Sequence, residues 1–140
     1  MSERPYSYPQ AIEAARRASA AQANVEDSLR ESSKDFAEAE EAYRIALAQE
    51  IVRQHAEDGV AWTVAPDLAR GDKHVAKLRR ERDIAEGVRE AMQQQAWRRA
   101  ADRRDTQRFC DWSAKREFAE AYGQVPEPAL EAPIGSVRSG

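Results

Sequence analysis

Residues 58–71 read DGVAWTVAPDLARG, and they divide the chain into two spans with one character. Proline occurs at 5, 9, 66, 126, 128 and 133, so 10–65 and 67–125 are free of the strongest helix breaker. Both spans are rich in Ala, Glu, Gln and Arg, which favour helix. The quoted stretch has the punctuation of a connector. Gly59 stops a helix, Thr63 caps a short turn carrying Pro66, Asp67 and Leu68, Gly71 ends that turn, and Asp72 caps the next helix. Trp62, Val64 and Leu68 are expected to plug the end of a helical pair.

Working outward, the first helix is expected over 9–57, with Pro9 in its first turn. Its apolar line runs Ile12, Ala15, Ala18, Val25, Leu29, Phe36, Tyr43, Leu47, Ile51, which is helical spacing. The second helix is expected over 72–122, with the line Leu78, Ala85, Val88, Met92, Ala96, Ala100, Cys110, Ala114, Phe118. The tail from 123 to 140 is rich in Pro and Gly and is expected to be disordered. Each helix would be about 75 Å long at 1.5 Å per residue.

Two near-equal helices on a short connector predict an all-α, elongated antiparallel two-helix hairpin of coiled-coil type. Facing residues of an antiparallel pair have numbers with a constant total. The two lines agree best at a total near 129, which pairs Ile51 with Leu78, Phe36 with Met92 and Tyr43 with Gly87.

Composition fits this shape. The 140 residues carry 34% charged, 41% hydrophobic and 7% aromatic side chains, and a net charge of −3. That is too charged for an ordinary globular core and too apolar for plain disorder. No run of about 20 apolar residues is present, which excludes a spanning helix. The start, MSERPYSYPQ, has no apolar signal core, which implies a cytoplasmic location. Charge is partitioned: residues 1–58 hold 7 basic and 12 acidic side chains, whereas 70–116 hold 14 basic and 8 acidic. The register near 129 sets Glu31 against Arg98 and Arg99, Glu26 and Asp27 against Arg103 and Arg104, Glu41 against Arg89, and Glu50 against Arg80. Such flanking pairs select register in coiled coils.

Candidate chemistry is sparse. Arg98, Arg99, Arg103, Arg104 and Arg108, with Trp97, Phe109 and Trp112 nearby, have the composition of a nucleic-acid contact, phosphates meeting arginine and bases meeting rings. The net charge and the facing acids favour charge matching between helices instead. There is no phosphate-binding glycine loop and no metal-spaced Cys/His set. His55, His74, Asp58 and Asp72 gather at one end of the hairpin, but their spacing is not that of a metal site. Cys110 falls on the apolar line and reads as a structural thiol. Arg70-Gly71-Asp72 spells an adhesion tripeptide, explained by a helix stop followed by a cap. No cofactor, metal or catalytic residue is expected, and so no enzyme.

Trp97, Trp112 and Ile84 lie off the core line, and Trp62 lies in the connector. Aromatic side chains outside the main stripe mark a second packing surface. The expected partner is a second copy, giving a four-helix assembly, with another protein as the next choice. Tyr6 and Tyr8 of the N-terminal arm are alternative covers for that surface.

The run 46–105, with its acidic-Gly stop, its hydrophobic connector ending DLARGD, and the pattern Arg79, Arg82, Asp83, Ala85, Glu86, resembles small helical proteins encoded by phages and prophages of high-GC bacteria. The resemblance implies a mobile-element origin in a bacterial host and carries no residue-level activity. The function expected is that of a non-enzymatic interaction module, such as an accessory protein or inhibitor acting on a protein of nucleic-acid metabolism or defence. Direct DNA or RNA binding and a scaffold or virion role are the alternatives.

Overall fold

The structure, a computed structural model, describes residues 7–123. Three helices follow one another: α1 (Tyr8–Asp58), α2 (Ala65–Arg70) and α3 (Lys73–Tyr122). The long helices α1 and α3 pack against each other, and α2 packs mainly on α1. The all-α expectation holds, with helix ends within one residue of those expected. Tyr6 and the tail beyond Gly123 lie outside the described residues.

Local chemistry sets the ends. Ser7 caps α1: its hydroxyl accepts from the Gln10 N–H, and the Gln10 side chain accepts from the Ser7 N–H at 2.9 Å, a reciprocal box. Gly59 ends α1 with φ 67, a left-handed conformation that Gly adopts at no steric cost. The Val60 N–H then returns to the Gln54 carbonyl at 3.1 Å. Asp72 caps α3 by accepting from the N–H groups of His74 (3.0 Å) and Val75 (3.2 Å).

The connector departs from expectation in three ways. Thr63 does not cap the short helix; Val64 precedes it without any side-chain cap bond. Gly71 has φ −82, so that stop needs no glycine. The plug is made of small residues. Ala65 and Ala69 are fully buried, whereas Trp62, Val64 and Leu68 are about half exposed. Alanine lets the α2 backbone approach α1 closely, which pushes the larger neighbours outward.

The seam between α1 and α3 follows a seven-residue step. On α1, Ala11, Val25, Ser32 and Ala46 are buried with Ala18 and Ala39 half-buried between them. The companion column Ala15, Gln22, Leu29, Phe36, Tyr43, Glu50 is buried or half-buried. On α3 the covered positions include Val75, Arg82, Arg89, Ala96, Cys110 and Glu117, with Leu78, Ala85, Met92, Thr106 and Ser113; Arg103 and Arg99, which belong to these two columns, are exposed. A sustained seven-residue step is the mark of coiled-coil packing. Helix α3 runs unbroken through Gly87.

The register is shifted from the expected one. The Arg82 guanidinium lies 4.7 Å from the Tyr43 ring centroid, and that of Arg89 lies 4.5 Å from the Phe36 ring. Arg103 donates to Gln22 at 3.3 Å, and the Tyr8 N–H donates to the Glu117 carboxylate at 3.0 Å. In all four contacts the paired numbers total 125, not 129, a slip of one helical turn. Tyr43 therefore meets Arg82 and not Gly87. Val88 and Phe118, expected in the seam, are 46% and 55% exposed. The physical reason is that the seam on α3 admits arginine. Its aliphatic stem lies along apolar surface, and its planar head covers a ring.

Candidate interaction surface

The charged side chains close locally. Every ion pair among the described residues joins positions at most five apart: Glu13–Arg17, Asp27–Arg30, Glu40–Arg44, Asp67–Arg70 and Lys77–Glu81 are examples. Arg53 gathers Glu50 (2.6 Å), Glu57 (3.3 Å) and Asp58 (3.4 Å). The Arg53 hydrogen bond holds the Glu50 carboxyl below the usual glutamate range, and those carboxylates raise the Arg53 guanidinium in turn. Donating hydrogen bonds to the Asp83 carboxylate likewise raises the Arg82 guanidinium. The expected cross-helix ion pairs of Glu31, Glu26, Asp27, Glu41 and Glu50 with α3 are not found among the described residues. In the register actually adopted, Glu50 is held by Arg53, Arg89 covers Phe36, and Arg103 bonds to Gln22.

The five arginines fall into separate roles. Arg99 pairs with Asp102 at 3.9 Å, and Arg103 reaches across to Gln22. Arg98, Arg104 and Arg108 are exposed and engage no carboxylate among the described residues. Arg104 and Arg108, four apart, share one side of α3 with Trp97, and Arg98 lies about 100° around the helix from Trp97.

Off the seam, Trp97 (65%), Ile84 (60%) and Trp112 (50%) are exposed as expected, whereas Trp62, expected to plug the hairpin end, is 55% exposed. Trp62 is nonetheless held, stacked on His55 with ring centroids 3.7 Å apart. The His55 Nδ1–H donates to the Val60 carbonyl at 2.8 Å, which fixes its tautomer. Trp112 packs against Phe109 at 5.8 Å, and the Arg116 guanidinium lies 5.0 Å over its ring. Phe118 packs on Tyr122 at 4.8 Å. Cys110 is half-buried in the seam. Among the described residues no group of three or more His, Cys, Asp or Glu could hold a metal ion, and His55 is occupied by the connector. No described helix is long and apolar enough to cross a membrane.

One concavity stands out. Gln10, Ala11, Ala14 and Arg17 of α1 and Asp105, Thr106 and Phe109 of α3 line an open, mostly apolar groove between the helices. It exists because α1 is largely alanine over 11–23, so the seam there buries little and leaves a trough. Phe109 stands at its edge, with Trp112 packed against it. The sequence line placed Phe109 only as a neighbour of the arginines; its seven-residue relation to Val88 was the signal that places both on one side. Glu117, which closes the open end of the hairpin on the first N–H of α1, had no signal beyond its position on that column.

The chain matches no protein-family model, no curated protein and no solved structure.

Proposed function

We propose that this chain is a non-enzymatic protein–protein interaction module that dimerises into a four-helix assembly. The single observation carrying the reading is the set of large apolar side chains left exposed outside the seam: Ile84, Trp97, Phe109 and Trp112, between 38% and 65% accessible. Water-exposed aromatic residues supply most of the affinity where two proteins meet. The resemblance of 46–105 to phage-encoded helical proteins supports a narrower form, an accessory protein or inhibitor acting on a bacterial or phage protein of nucleic-acid metabolism or defence. Affinity purification from a bacterial lysate tests it. A defined partner, or a stoichiometric second copy, is expected, and Trp97→Ser with Trp112→Ser should release it. Recovery of a monomer alone at every concentration would remove the reading.

A second reading has its own support. Arg98, Arg104 and Arg108 engage no carboxylate among the described residues, and Trp97 is exposed on the side of α3 that carries Arg104 and Arg108. That combination suits the backbone and bases of a nucleic acid. A gel shift at low salt is expected to show a complex that dissolves steeply as salt rises, and its absence would leave the protein-binding reading alone. A scaffold or virion role would instead show as assembly beyond the dimer in light scattering.

A further inference from the structure

Two features of the hairpin are complementary to themselves. The first is a face. Gln10 and Arg17 of α1 and Asp105 and Phe109 of α3 share one groove, so they lie on the same side of the hairpin. Apart from exposed Arg99 and Arg103, covered positions keep the seven-residue step along both helices, so columns that start on this side stay on it. Ile45 and Val52 lie whole seven-residue steps from Gln10 and Arg17. Ile84 and Trp112 stand in the same relation to Asp105, and Val88 to Phe109. This one side therefore presents Ile45, Val52, Ile84, Val88, Phe109 and Trp112, from 38% to 60% exposed.

The second feature is charge. The first 58 residues carry a surplus of five acids and residues 70–116 a surplus of six bases. No ion pair among the described residues joins α1 to α3, so among these residues the two surpluses are not paired with each other.

Two copies can stack these faces with all neighbouring helices antiparallel in two ways. Either each α1 lies on the α1 of the other copy, with connectors at opposite ends, or each α1 lies on the other's α3, with connectors together. The first sets acid surplus on acid surplus and base on base. The second sets acid on base. We propose that the face is covered by a second copy of this chain in the second arrangement, the two connectors side by side. This rests on the dimerising interaction-module reading and fixes how the two copies are arranged.

The levels of the side chains agree. The hairpin contacts place a residue of α3 at the level of the α1 residue whose number completes 125. Ile84 then comes to the level of Glu41 and Ala42 of the second copy, within about one turn of Ile45, and Val88 comes to the level of Ala37 and Glu38. Phe109 and Trp112 meet the alanine trough around Ala14, large rings over small residues. Arg98 comes within one helical turn of Glu31 of the second copy, a pairing absent within the hairpin among the described residues.

A nitroxide on Thr63→Cys in a Cys110→Ser background tests the arrangement, because Thr63 is exposed at the connector. Pulsed dipolar spectroscopy of the full chain should give a separation under about 40 Å, against about 75 Å, the length of a 50-residue helix, if the connectors lie at opposite ends. The long distance overturns the proposal. A monomer by light scattering up to millimolar concentration also overturns it, while leaving capture of a different protein, the broader reading, standing. As a second measure, Arg98→Glu should weaken the dimer about tenfold, and adding Glu31→Arg should restore it to within about threefold, since like charges repel across an interface. Failure of the double variant to recover overturns the α1-on-α3 contact.

Discussion

Arg82 lies with its guanidinium 4.7 Å from the centre of the buried Tyr43 ring, and this contact fixes where α3 sits along α1. An arginine in a seam position is held by a ring on one helix and by Asp83, 2.6 Å away, on its own. It can satisfy its charge at the edge of the seam while its stem packs inside.

Tyr43→Leu and Arg82→Met are therefore expected to be non-additive. Loss of the cation–ring contact should appear as a coupling of about 0.5–1 kcal/mol in a double-mutant cycle. Urea unfolding of the four proteins measures it. Zero coupling would mean that Arg82 sits over Tyr43 without energetic consequence.

Ser113 is fully buried, and its hydroxyl has no hydrogen-bond partner among the described residues. Ser32, by contrast, donates to the Leu29 carbonyl at 2.9 Å. Ser113→Ala removes an unsatisfied group without opening a cavity, so it should stabilise by about 1 kcal/mol, whereas Ser113→Leu should destabilise by about 1–3 kcal/mol through overpacking. Thermal unfolding of both variants gives the two signs directly.

Gly59 and Gly87 should respond oppositely to alanine. Gly59 has φ +67, where a Cβ is strained whatever space surrounds it. Gly59→Ala should cost about 1 kcal/mol. Gly87 lies inside α3 with nothing within 4 Å of an added Cβ. Gly87→Ala should gain about 0.5–1 kcal/mol from helix propensity and a less flexible unfolded chain. Denaturant midpoints at one protein concentration test both.

The Glu50–Arg53 pair gives a pH signature. Its carboxyl is held below the ordinary glutamate range, chiefly by the Arg53 hydrogen bond. A carboxyl with a depressed folded-state pKa contributes stability that is present above its unfolded-state pKa and is lost as pH falls through the folded value. The melting temperature should thus fall on acidification below about pH 4.3, the unperturbed glutamate value, and fall less steeply in Glu50→Gln. Parallel curves for the two proteins would show that the pair is electrostatically idle.

Much of the hairpin was legible because its signals are local. Pro9, Gly59, Asp72 and the two proline-free spans define the helix ends through backbone chemistry that needs no partner. Register was not legible, because aliphatic residues alone were taken as the seam. The covered column of α3 contains Arg82, Arg89 and Glu117, and that of α1 contains Ser32 and Gln22, residue types that composition assigns to solvent. The connector plug failed for a related reason. Size suggested Trp62 and Leu68, but close approach of two backbones selects Ala65 and Ala69. At the candidate surface, the exposure of Ile84, Trp97 and Trp112 was readable from their angular distance to the apolar line. The groove beside Phe109 was not, since it arises from what the alanines of α1 fail to fill.

The restriction of ion pairs to neighbours within each helix has a consequence for the order of events at the ribosome. A helix that settles its charges with neighbours three and four positions away needs no distant residue in order to form. Residues 8–58 can thus coil as soon as they emerge, while the strand of chain that covers Val25, Phe36 and Tyr43 has yet to be made. At about 5–20 residues per second, the stretch from residue 59 to the end of α3 at Tyr122 takes several seconds to follow. During that interval the nascent first helix travels with its apolar stripe bare.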